Sequence, residues 1–599
     1  MKSQSNGRNV ILFSITLILV AAFVIVANKI SPFLIDNDNI YFKTMASGEM
    51  TGSPEPHMYY IRMVFGLIVT GLYKLTGNGI PWFGLLLVGL MATVLLTVTY
   101  SLVKECRKVY SVIIMYAVCV IVMISFFYRY FVDTQFTVVS GMVGACAVFL
   151  LALTDVSGTV RENAAKIAGF GIFSLLSYSI RSNGFLMLFP FIGVVFFIKL
   201  LDICVPLYKE KRLFSAFKPY RTLAVTLFVF LISFGLNLSV DGIGYSSSEW
   251  QDFKRYTDYS TVIVDYNGWP DYETNKALYN GNGITESSFN AATQHYNLLL
   301  DPNINADSFK ALALASEAIK EEGSVPLVTR LRDTLTTIVK RNLTDYTDRP
   351  LNFLVFWLYF SVIIMSIISK KYRVLMDILF IIVARMFDWV YLVYNGRYPF
   401  RVTQIIYFAE LFALLAFIIN YRLWELPSRK NGKSRLPILA AVLLAGIVGI
   451  SARFGLVVMK GVKETSHGFD VLSSSFVELE QYLEAHPDNF YYFDMSNLHY
   501  RERTLDTRER PYENYIYMGG WLTSSPWYNH KLEEKGIKNP AQSIIERDDI
   551  LIIYQVTDGY SKDFLQDFFD EHYPGAVVDK EDELSTAFGI TYEFLSVHR

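Results

Sequence analysis

Long apolar runs, broken by a few polar stretches, set the pattern of this chain. Eleven runs, at about 9–30, 80–103, 110–128, 134–153, 165–181, 184–200, 221–240, 351–369, 374–394, 402–421 and 436–458, approach twenty residues with few or no charges. As a helix, each is long enough to cross about 30 Å of hydrocarbon. Three stretches break the pattern: residues 31–79, 241–350 and 459–599. In the first, YYIRMVFGLIVTGLYKLTG is apolar but carries Arg62 and Lys74. It predicts a helix lying in the membrane interface, not a further span.

Charge placement orients the spans. With the N-terminus cytoplasmic, the inside loops hold KECRK, KEKRLFSAFKPYR, KKYR and YRLWELPSRKNGKSR, and the short outside loops are sparse in Lys and Arg. That is the bias of cytoplasmic loops. All three polar stretches then lie outside. The first run follows Lys2 and Arg8, exceeds a signal-peptide core and lacks a small-residue cleavage site, so it is expected to remain as a span. The fifth and sixth runs are short, with Arg181 between them, which suggests a broken or re-entrant pair.

The polar stretches carry their own order. SFKALALASEAIKEEG and VPLVTRLRDTLTTIVKRNL have helical spacing. After residue 459, VLSSSFVELEQYLEAHP and KDFLQDFFDEHYP read as helices, and FYYFDM, NYIYMGGW, DILIIYQV and AFGITYEFLSV as strands. GGWLTSSPWY reads as a turn with packed aromatics, with sugar contact as the alternative. VDYNGWPDYETNKALYNGN is compatible with sugar contact too. The expected fold class is a multi-span α-helical membrane protein: a body over 1–458 and an exported C-terminal α/β domain over 459–599.

Composition narrows the function. The chain is 52% hydrophobic and 18% charged, with net charge −2 and no basic groove, so nucleic acid is not an expected partner. Cys106, Cys119, Cys146 and Cys204 all fall in the membrane body or at its cytoplasmic edge, which leaves the exported parts without a disulfide framework. No phosphate loop, dinucleotide fingerprint, serine-hydrolase elbow or zinc-protease motif occurs.

Candidate chemistry sits at the outer edge. SPFLIDNDNIYFKTM places Asp36 and Asp38 just past the first span. Taken alone, such acids cap a short helix or close an Asx turn. Beside hydrocarbon, ionised groups are costly and usually functional, and a carboxylate here could meet a lipid-linked substrate as a base. Arg129, Arg181, Arg349, Arg397 and Arg401 recur at outer span ends, with Asp133 near Arg129 and His57 near the interfacial helix. A single outer arginine commonly anchors the interface. Several together suit phosphate, which the guanidinium grips by a planar fork. The loop Gly396-Arg397-Tyr398-Pro399-Phe400-Arg401 offers two on one turn. Deeper, Arg385 and Asp388 are expected to pair one turn apart or to line a polar cavity.

IDNDNIYFKTMASGEMTGSPEPH followed by a helix, and the later NGRYPFRVTQIIYFAELFALL, resemble the GT-C superfamily of integral membrane glycosyltransferases. Protein mannosyltransferases and aminoarabinose transferases are among its members. The resemblance implies a sugar moved from a polyprenyl-phosphate donor to an extracytoplasmic glycan, lipid or protein. It implies Asp38 or Asp36 as base and Arg397 and Arg401 at the donor phosphate; from their places at the outer edge, Arg181 and Arg349 are expected at the phosphate too, with His57, Arg129 and Tyr398 shaping the site. Asn37 and Asn39 interrupt the adjacent acids often seen in the family. This leaves open which aspartate is the base and whether Mg2+ or Mn2+ binds at Asp36 and Asp38. The competing readings are an O-antigen-type polymerase or ligase built on outer-loop arginines, and a transporter or flippase.

Overall fold

The computed structural model describes residues 2–35, 38–211, 218–294, 300–322, 326–344, 347–423, 436–494, 501–506, 514–556 and 561–599. Asp36 and parts of two expected cytoplasmic loops, 212–217 and 424–435, lie outside these. Among the described residues, nine helices are long and apolar enough to cross a membrane. Val160–Ile180 and Arg373–Tyr394 carry more charge but, at 21 and 22 residues, reach about the same length. With these two, every run expected to span is helical. The expected interfacial segment forms Met63–Thr76.

The fifth and sixth runs are not a re-entrant pair. Both are full-length helices, Val160–Ile180 and Phe189–Lys209, with the short Ser182–Leu186 helix between them. The chain turns at Arg181, whose backbone is extended. The Phe136–Leu153 helix is buried along its whole length and packs against Phe400–Asn420, Val160–Ile180 and Trp82–Glu105. It is the axis of the body.

The last run does not stop at residue 458. One helix, Leu436–Ala485, joins it to the first C-terminal helix expected from the sequence. Its 50 residues extend about 75 Å, far beyond the hydrocarbon. Gly461 and Gly468 each cost only about 1 kcal/mol in a helix, and no proline intervenes to break it.

The strands are β1 (Leu34–Ile35), β2 (Phe490–Phe493), β3 (Glu502–Arg503), β4 (Tyr515–Tyr517), β5 (Ile550–Val556), β6 (Val577–Ser585) and β7 (Thr591–His598). Five form a sheet in the order β4-β2-β5-β7-β6, parallel among β4, β2 and β5 and antiparallel beyond. The four expected strands are present. β6 is an addition: VVDKEDELS is polar and exposed, the composition of a charge-protected edge.

The second addition matters more. β1, just after the first span, pairs antiparallel with β3 from the C-terminal part. The Thr504 amide donates to the Phe33 carbonyl at 2.7 Å, and the Thr134 amide to the Leu34 carbonyl at 3.0 Å. Lys43 Nζ meets Glu502 Oε2 at 2.8 Å with both side chains almost fully buried, 4% and 2% exposed. Gly84 lets the C-terminal segment approach, since a Cβ there would lie 1.9 Å from the Thr504 carbonyl oxygen. The acidic stretch is thus stitched to a region more than 450 residues away in sequence.

The described residues between 256 and 313 build a core of their own that includes Tyr256, Ile263, Tyr272, Tyr279, Phe309 and Leu312. Of the aromatics read as compatible with sugar contact, Tyr272 and Tyr279 fill this core and Trp269 packs on Phe309.

Candidate active site

Three elements bring a carboxylate to the arginines. A short helix, Asp38–Ser47, carries Asp38 in its first turn. Asp38 Oδ1 accepts from Trp521 Nε1 at 3.0 Å. Trp521 lies in the GGWLTSSPWY loop after β4, and its ring packs on Tyr41, Phe42 and Tyr60 at centroid distances of 5.9, 5.6 and 5.6 Å. The aromatic side chains of that loop are therefore packed, and its indole N–H is spent on the acid.

The arginine side is built locally. The Arg373–Tyr394 helix ends with the Arg397 amide bonded to the Leu392 carbonyl and the Gly396 amide to the Val393 carbonyl, at 3.1 and 3.0 Å. That double bond is a Schellman closure, which needs a left-handed residue at its end. Gly396 supplies it with φ +70°. Pro399 then opens the Phe400–Asn420 helix, so Arg397 and Arg401 flank one tight turn. Arg181 comes from the break between the fifth and sixth spans and lies over the Tyr60 ring at 4.3 Å.

The third element is Val262–Asn267, a turn of π-helix closing the Ser248–Thr261 helix. Such widened turns recur at functional sites. Here it presents Asp265, whose Oδ2 accepts from Arg397 Nη2 at 3.0 Å and whose carbonyl accepts from Nη1 at 3.1 Å.

Asp38, Tyr60, Asp265, Arg181, Arg397, Arg401 and Trp521 line one polar cavity of about 160 Å³. Burial, reinforced by the Asp38 and Asp265 carboxylates, pushes the Tyr60 phenol above its ordinary range and outweighs the opposing pull of Arg181, so Tyr60 stays a neutral phenol. Arg181, Arg397 and Arg401 also line a second cavity of about 570 Å³. Its other walls are largely apolar: Leu186, Met187, Phe189, Phe387, Tyr391 and Val402. Leu186, Phe387 and Tyr391 are exposed, so it opens sideways between neighbouring spans. Three guanidiniums therefore stand on the wall between a polar chamber and an apolar groove. Arg397 has a carboxylate partner, whereas Arg181 and Arg401 have none among the described residues.

The other expected site residues lie elsewhere. His57 stacks on Trp250 at 4.0 Å, and its ring nitrogens meet Glu55 at 2.5 Å and the Gly244 carbonyl at 2.9 Å. Arg129 covers the Phe400 ring at 4.1 Å and lines a separate cavity with Asp133 and Phe469. Arg349 lies over Phe353 at 5.0 Å. Tyr398 lies under the Arg341 guanidinium at 5.7 Å. None of the four is among the residues lining the two joined cavities.

Arg385 and Asp388 do not pair. Both oxygens of Glu410, on the facing helix, accept from Arg385 Nη1 at 2.7 Å, and Arg385 Nη2 donates to Asn342. A carboxylate across the helix interface offers Arg385 both of its oxygens at once. Asp388 instead lines the apolar groove, buried, with Oδ2 lacking a hydrogen-bond partner. A linked network holds Asp348: Arg341 Nε and Thr403 Oγ1 donate to it at 2.9 and 2.6 Å.

Sequence reading missed Tyr60, Asp265 and the contact between Trp521 and Asp38. An isolated aspartate in a polar loop gives no local signal; only the glycine-terminated turn at Gly268 hints at a special backbone. Among the described residues no three His, Cys, Asp or Glu side chains cluster as metal ligands. Among the described residues the chamber offers Asp38 and Asp265 against three arginines, a donor set that does not by itself suit a divalent cation; the other expected ligand, Asp36, lies outside them.

No family model and no curated protein sequence matches the chain. Among solved structures, the crystal structure of ArnT from Cupriavidus metallidurans bound to undecaprenyl phosphate is similar over 98% of each chain, at 10% identity and a TM-score of 0.36. That likeness is too distant to assign a family, and the functional reading rests on the two joined cavities.

Proposed function

We propose that the protein is a membrane glycosyltransferase of the GT-C type. It would take a sugar from a polyprenyl-phosphate donor and pass it to a hydroxyl on the extracytoplasmic side. The N-terminus is then cytoplasmic and residues 459–599 are exported as a sheet domain. The observation that supports this reading is the shared arginine wall. An amphiphile with an apolar tail, an anionic phosphate and a polar sugar matches a groove, three guanidiniums and a polar chamber in that order.

In this reading the prenyl chain lies against Phe189, Phe387 and Tyr391, and Arg181, Arg397 and Arg401 hold the phosphate. The sugar enters the chamber beside Tyr60 and Trp521. The acceptor oxygen forms a bond to the anomeric carbon, the bond from that carbon to the phosphate oxygen breaks, and its electron pair leaves with the phosphate. Asp38 accepts the hydroxyl proton. Trp521 holds Asp38 Oδ1 in place. The arginines offset charge growing on the leaving phosphate.

The test is transfer from a radiolabelled polyprenyl-phosphate sugar by full-length protein in nanodiscs. Asp38→Asn should bind the donor yet lose about 10²- to 10⁴-fold in turnover, the usual cost of removing a general base. Arg401→Ala should raise the donor KM. Full transfer by Asp38→Asn would sink the base assignment, and full transfer by Asp36→Asn as well would favour the arginine-based polymerase reading.

A further inference from the structure

The Leu327–Leu343 helix turns a row of apolar side chains outward. Leu327, Leu331, Leu335, Val339 and Leu343 recur every fourth residue, with Val328 beside them, and are 39–80% exposed. Thr334, Ile338, Arg341 and Asn342 form the buried side, while Arg332, Asp333, Thr336 and Lys340 form a polar back. A contiguous apolar ridge of this length marks a surface that something covers.

Its position indicates what. Arg330 ties the helix to the outer end of a span, donating through Nη2 to the Tyr394 carbonyl at 2.8 Å with its guanidinium 3.7 Å from the Tyr394 ring centroid. That span, Arg373–Tyr394, has its own outward stripe of Met376, Leu379, Val383, Phe387 and Tyr391, 52–63% exposed. In a spanning helix such a stripe faces lipid. The ridge therefore begins where a lipid-facing stripe ends. Arg332 flanks the ridge on a long flexible stem, placed to reach head groups while the ridge sinks.

We propose that Leu327–Leu343 is a second interfacial helix, seated in the lipid surface beside the arginine wall. Its apolar ridge lies among the outer ends of the acyl chains. The seat has a structural consequence. From the buried side of the same helix, Arg341 holds Asp348 and Asn342 meets Arg385, and Asp348 accepts from Thr403 and Gln404 on the helix that begins beside Arg401. Lipid that fixes the depth of Leu327–Leu343 thereby braces the start of the arginine-bearing helix. This proposal stands whether or not the chain transfers sugar.

The experiment uses full-length protein in phosphatidylcholine/phosphatidylglycerol nanodiscs, with Cys106, Cys119, Cys146 and Cys204 replaced by Ser. One nitroxide is placed at Leu335→Cys, Val339→Cys, Asp333→Cys or Thr336→Cys. Labels at 335 and 339 should collide several-fold more with oxygen than with a water-soluble nickel chelate, and labels at 333 and 336 should show the reverse. Equal nickel access at all four places the ridge in water and overturns the proposal. Labels at 335 and 339 closed to both reagents mean a protein covers the ridge, which overturns it as well. A second measurement keeps the native cysteines: Leu335→Glu/Val339→Glu should speed amide exchange across 327–343 several-fold in nanodiscs. Unchanged exchange would also reject the lipid seat.

Discussion

The two halves of the candidate site are held in different ways. The arginine half is local: Gly396 closes one helix, Pro399 opens the next, and Arg397 and Arg401 follow from that turn. The carboxylate half is assembled across the chain. Asp38 is oriented by Trp521, 483 residues away, and the strand before it is held by β3. Under the proposed function, the arginine wall would form largely within the membrane body, whereas the Asp38 carboxylate is held by a contact from the C-terminal part. A chain built this way should be able to bind a lipid phosphate before it can turn it over. Perturbing each half separately tests that order.

The largest effect is expected at the dock. Lys43 and Glu502 are buried and paired, so Glu502→Gln leaves a buried ammonium without its carboxylate, at a cost of about 3–5 kcal/mol. We expect a lower melting temperature, faster proteolysis near 501–506 and loss of turnover, while a polyprenyl phosphate still binds. Lys43→Met/Glu502→Met replaces both charges with apolar groups and should recover most of the stability. Equal loss of lipid binding in Glu502→Gln would show that the halves are not separable.

A smaller effect is expected at Trp521→Phe. The ring packing on Tyr41, Phe42 and Tyr60 is largely kept and the N–H bond to Asp38 is lost. A hydrogen bond to a charged group is worth about 1.5–3 kcal/mol, so turnover should fall about 10- to 100-fold with donor KM little changed. A raised donor KM with unchanged turnover would make Trp521 a sugar contact instead of an orienting residue.

The same contrast explains what could be read without coordinates. The spans, the interfacial helix and the paired arginines were legible because each depends on a local pattern: apolar length, residual charge, a glycine and a proline around a turn. The meeting of Asp38 with Arg181, Arg397 and Arg401 was legible only through resemblance. The pairing of β1 with β3, two residues each, has no periodicity to detect. Glu410 is hidden in an apolar run, so the sequence alone leads to Arg385 pairing with its neighbour Asp388 or lining a polar cavity with it. The long Leu436–Ala485 helix reads as two from the sequence because hydrophobicity ends where helix formation does not.

The smallest effect is expected on the arginine side, at Asp265→Asn. Asp265 and Arg397 are joined at 3.0 Å, but both are partly exposed, 36% and 27%. An exposed pair of this kind is worth about 0.2–1 kcal/mol. Its carboxylate competes with an incoming phosphate for the same guanidinium. The asparagine side chain still accepts a hydrogen bond, and the Asp265 backbone carbonyl contact to Arg397 is unaffected by the change. Arg397 should therefore stay near its place while one negative charge leaves the chamber. We expect donor affinity to rise by about two- to fivefold at low salt, the fold-change that such an energy allows, and the gain to shrink as salt screens it. Turnover at saturating donor should be unchanged, because Asp38 and Trp521 are untouched. A drop in donor affinity would mean that Asp265 positions Arg397 instead of competing for it, so that the arginine half, like the carboxylate half, depends on a distant loop.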